Sequence, residues 1–107
     1  MVTDIPESGK KAAHIVLDMV SAFDPDGDDE RNTAAMNLAF HRMNEVGAVT
    51  ATFDEEANTL DVDGSNMMGG LSVLVMWLVT RTADLSGVTK HDVIVKAREF
   101  VNEVEPG

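Results

Sequence analysis

Residues 71–79 read LSVLVMWLV, and the reading of this stretch decides the fold. On a 100° wheel Leu71, Val73, Leu74, Val75, Met76, Trp77, Leu78 and Val79 point in every direction. A helix that is apolar all round is buried all round. It is therefore either the central element of the domain or partly an interface. The helix is expected over about residues 66–84, with Gly87 marking its end. The longest apolar run, Met67 to Val79, is broken by Gly69, Gly70 and Ser72. It falls short of the ~20 residues that span a bilayer, so no membrane partner is expected.

Downstream, the pattern resolves into a fourth, amphipathic helix. Thr89 is its N-cap and Asp92 sits at N3, a capping box with Asp in place of Glu. Val93, Ile94, Ala97, Phe100, Val101 and Val104 form one apolar stripe, expected to be buried. Upstream lie two short alternating segments, AVTATF and TLDVD. Val49, Ala51 and Phe53 share one face of the first, and Leu60 and Val62 one face of the second. These are half-buried strand patterns. DEEAN between them is a hairpin loop in which Asn58 can take a positive φ. Two strands alone are marginal in water, so the hairpin must lean on helices or pair with a second copy.

Two helices precede the hairpin. The first, residues 8–23, places Ala12, Val16, Met19, Val20 and Phe23 on one face. The second begins within Asp28-Asp29-Glu30, acids that suit a helix N-terminus. Its stripe is Ala35, Ala39, Met43 and Val46, and Gly47 is placed to close it. The fold class is thus α+β: four helices and one antiparallel hairpin in the order α-α-β-β-α-α, with the third helix central. A single compact domain over residues 1–107 is expected, with fraying at about 1–6 and 105–107.

Composition narrows the chemistry. The 107 residues include no cysteine, which removes disulfides, thiolate zinc sites and cysteine nucleophiles. Eight Lys and Arg against 19 Asp and Glu give a formal charge of -11. Nucleic acid is an unsuitable ligand, because binding it needs clustered basic residues. The opening MVTDIPESGK carries acids and a proline before any apolar run and does not read as a signal peptide. A cytoplasmic protein is expected.

FDPDGDDE, residues 23–30, resembles a metal loop in its first half only. Counted from Asp24, an EF-hand pattern finds acids at positions 1, 3 and 5: Asp24, Asp26 and Asp28. The glycine due at position 6 is Asp29, and the bidentate Glu due at position 12 is Ala35. An interhelical turn bent by Pro25 and Gly27 and capped by Asp26 or Asp28 accounts for it. His14, His41 and His91 are scattered; His14 has Asp18 at i+4, and His41 has Glu45.

DGSNMMGG, residues 63–70, lacks the pattern of a phosphate loop. Ser65 or Asn66 is expected to cap the third helix there. Gly69 and Gly70 would let another backbone come close. No nucleophile motif is present, so neither catalysis nor a cofactor is expected. The expected function is a small acidic interaction module acting as a homodimer, with Met67, Met68, Val73 and Trp77 as contact residues. The alternatives are an acidic decoy for a basic protein partner, and a weak Ca²⁺-binding module at Asp24, Asp26 and Asp28.

Overall fold

The structure, a computed structural model, describes residues 5–105. The expected fraying of residues 1–4 and 106–107 lies outside them. The elements are α1 (Glu7–Ala22), α2 (Asp29–Glu45), β1 (Thr50–Asp54), β2 (Thr59–Asp63), α3 (Ser65–Ser86) and α4 (Lys90–Glu103). The protein is α+β, in the order read from the sequence. The chain divides into two compact units, Met1–Val73 and Leu74–Gly107, and α3 runs from one into the other.

In the first unit α1 and α2 pack around Ala12, Ile15, Ala39, Met43 and Ala48, with Val16, Met19, Val46, Val49 and Met67 half-buried against them. Of the α2 stripe, Ala39 and Met43 are buried and Ala35 and Val46 half-buried, on the side its spacing indicates. The buried side of α1 is rotated from the expected one: Gly9, Ala12 and Ile15 are buried, whereas Val20 and Phe23 are exposed. The cause is a close crossing. α1 meets the first turns of α3 backbone to backbone at Gly9 and Gly70, which turns its small residues inward.

Local signals explain the joints. Asp28 caps α2 by accepting from the Glu30 N–H at 2.9 Å. Gly47, at φ +75°, ends that helix, and the Ala48 N–H folds back to the Met43 carbonyl at 3.0 Å. The Met67 N–H then donates to the Ala48 carbonyl at 3.1 Å, fastening the start of α3 to this turn. Asn58 takes φ +54° in the hairpin loop, as its side chain permits. The strands pair antiparallel with Ala51 opposite Val62 and Phe53 opposite Leu60.

The α3 cap differs from expectation. Asp63, and not Ser65 or Asn66, accepts from the Ser65 N–H, at 2.9 Å. Ser65 is already helical, so the residue two positions earlier supplies the oxygen.

In the second unit Gly87, at φ +69°, ends α3, and the Val88 N–H donates to the Ala83 carbonyl at 3.1 Å. The capping box at α4 is complete: Asp92 N–H donates to Thr89 Oγ1 at 3.1 Å, and Thr89 N–H to Asp92 Oδ2 at 3.2 Å. Hydrogen bonds from Ser65 and from Thr89 hold the Asp63 and Asp92 carboxyls below the ordinary aspartate range. A lowered folded pKa supports the fold above the unfolded value and loses that support as pH falls through the folded one. Helicity of α3 and α4 should therefore weaken below about pH 4. Thr89→Ala should cost about 1 kcal/mol of α4 stability at neutral pH, read by circular dichroism during urea unfolding.

Candidate interaction surface

The apolar stripes predicted from the sequence are present, but many of them face solvent. All four phenylalanines and the single tryptophan are exposed: Phe23, Phe40, Phe53, Phe100 and Trp77 keep between 48% and 67% of their surface. Buried hydrophobics among the described residues are Ala12, Ile15, Ala39, Met43, Ala48 and Ala83, four of them alanines. Aromatic side chains normally dominate cores and interfaces, because each removes ~150–250 Å² from water.

In the first unit the exposed surface is the hairpin. Phe53, Leu60 and Val62 share one face of it with Ala51, and every residue of both strands is exposed. The sequence offered helices or a second copy as its support, and α1 and α2 of the same unit leave that face exposed. On α2, Leu38 and Phe40 also stand in solvent.

In the second unit the exposed surface is the outside of α3 and α4. Val75, Met76, Trp77 and Leu78 are exposed on α3. The expectation that α3 is buried on every side is not met within one chain. The α4 stripe is exposed too: no residue of α4 is buried, and Phe100, Val101 and Val104 are all open. Between the two helices runs an open groove of about 400 Å³ lined by Val75, Val79, Ile94, Ala97 and Val101, with Arg98 and Asn102 also along it. Ala83 is the single buried hydrophobic of this unit among the described residues. A helix of 14 residues is marginal in water by itself, so α4 as it stands lacks the cover that usually stabilises one.

The four expected contact residues separate. Met68 and Trp77 are exposed, Val73 is half-buried, and Met67 packs against the core of the first unit. The sequence pattern puts Phe100 and Val101 on a stripe expected to be buried, and gives the Phe53, Leu60 and Val62 face either helices or a second copy as cover. Their alternation and helical spacing mark a face that must be covered, but do not say by what.

The acidic loop is occupied by its own backbone. Asp24 Oδ1 accepts from the Asp26 N–H at 3.0 Å, and the Asn32 side chain bonds both the N–H and the carbonyl of Asp24. Gly27 N–H closes a turn onto the Asp24 carbonyl at 2.9 Å. No three histidine, aspartate or glutamate groups converge on a metal position among the described residues. Of the weak candidates, Asp24 accepts within the turn, Asp28 caps α2, and Asp26 contributes its backbone N–H.

Asp18 does not pair with His14. It takes a hydrogen bond from Arg42 of α2 at 3.0 Å, since the guanidinium reaches across the helix pair. His41 does lie 3.0 Å from Glu45 on its own helix. No polar or charged residue is buried among the described residues. No single helix among them is long and apolar enough to cross a membrane. No family model, curated protein or solved structure matches this chain.

Proposed function

We propose that this chain is a non-catalytic interaction module that works as a homodimer in a reducing cytoplasm, with the second copy covering the faces one copy leaves open. The observation that carries the reading is the exposure of every aromatic side chain. Two-fold homodimers are also the commonest soluble oligomers. The absence of cysteine suits a reducing compartment.

The net charge of -11 favours a second reading, a decoy that covers a basic surface. Salt separates the two. Two like-charged copies repel, so homodimerisation should tighten as salt rises, whereas a basic partner should be released. Sedimentation velocity across a salt series is the test. A dimer at about 100 μM protein, strengthened by salt, is expected. A strict monomer at that concentration in every salt would overturn the homodimer.

A further inference from the structure

The hairpin offers two free edges, and they are chemically unequal. No backbone hydrogen bond outside the hairpin engages residues 50–63 among the described residues. β2 carries Asp61 at its midpoint and Asp63 at its end. β1 reads TATFD, with no charge until its last residue. Charged side chains are the usual protection of an edge strand, so β2 is protected and β1 is not.

We propose that β1 pairs antiparallel with β1 of a second copy about a two-fold axis at Thr52, giving a four-stranded sheet in the order β2-β1-β1-β2. This rests on the homodimer reading and gives it a location. Full overlap of two five-residue strands fixes the axis at Thr52. Thr52 then faces its own counterpart, Thr50 faces Asp54, and Ala51 faces Phe53. Like charges never meet across the new contact, and each phenyl ring lies opposite a small side chain. Joining β2 to β2 in the same way would set Asp61 directly against Asp61, an arrangement that destabilises a sheet. A two-fold axis normal to the sheet also puts both copies of the Phe53, Leu60 and Val62 face on one side. The result is a continuous apolar surface wide enough to pack, which two strands alone do not provide.

The chain has no cysteine, so single introduced thiols report without background. Opposed residues in antiparallel strands have Cα atoms ~4.5–5.5 Å apart, inside the range a disulfide spans. Three full-length variants, Thr52→Cys, Asp61→Cys and Glu56→Cys in the exposed loop, would be oxidised mildly at low concentration after sedimentation has established their state. Thr52→Cys should form a covalent dimer at least ~10-fold faster than Glu56→Cys, because pairing raises the local thiol concentration towards millimolar. Preferential linkage through Asp61→Cys would overturn the choice of edge. A dimer by sedimentation in which no variant exceeds the loop rate would overturn the strand pairing and leave the homodimer standing. A monomer by sedimentation would remove both.

Discussion

Gly70→Ala should collapse the first unit, while Gly69→Ala one position earlier should be neutral or stabilising. A Cβ on Gly70 would lie 2.8 Å from the Gly9 carbonyl carbon, closer still to its oxygen, and 3.2 Å from its Cα. All three are backbone atoms of α1, so no rotamer change relieves the clash and the helices must separate. Overpacking of this kind costs about 3 kcal/mol or more. For a unit of this size, each kcal/mol lowers Tm by ~4–8 °C, so a fall of more than ~10 °C is expected. A Cβ on Gly69 meets only Ile5 Cγ2, at an ordinary 3.9 Å. Alanine there gains helix propensity worth up to ~1 kcal/mol. Thermal melts of the two variants beside the parent provide the comparison. Similar Tm values for both would show that the crossing tolerates a methyl group.

Trp77→Glu should weaken self-association and leave each chain folded. The side chain is 61% exposed, so its removal disturbs little inside one copy. Exposed substitutions of that kind usually change stability by less than ~0.5 kcal/mol. At the centre of an interface the same change removes an aromatic anchor and buries a charge. Hot-spot tryptophans contribute about 2–4 kcal/mol, so the dimer Kd should rise ~30- to 1,000-fold. Sedimentation gives the Kd, and far-UV circular dichroism checks the fold. An unchanged Kd would remove Trp77 from the contact.

Much of the architecture was legible because it is written in local chemistry. Thr89 and Asp92 announce α4 through a box whose two hydrogen bonds both form. Asn58 and Gly47 mark backbone positions that few other residues accept, and both take positive φ. Gly70 was legible as a point of close approach, though not as one facing Gly9. What was not legible is what lies opposite each face. Ile15 became the largest fully buried side chain because α1 is turned by its glycine contact with α3, and no periodicity within α1 reports that. The stripe of α4 has the spacing of a core helix, yet spacing is identical whether the cover comes from the same chain or another. Spacing and alternation therefore mark Phe53, Leu60 and Phe100 as parts of apolar faces, while the identity of what covers those faces is not written in them.

The acids of β2 also bear on how far such a sheet can grow. Strands added along β1 leave Asp61 and Asp63 at both outer margins. A second dimer, whose free edges are again β2, would have to bring its own carboxylates against them, in a chain already carrying a charge of -11. Polymerisation into a fibre is thereby discouraged, and assembly through this strand stops at a finite number of chains.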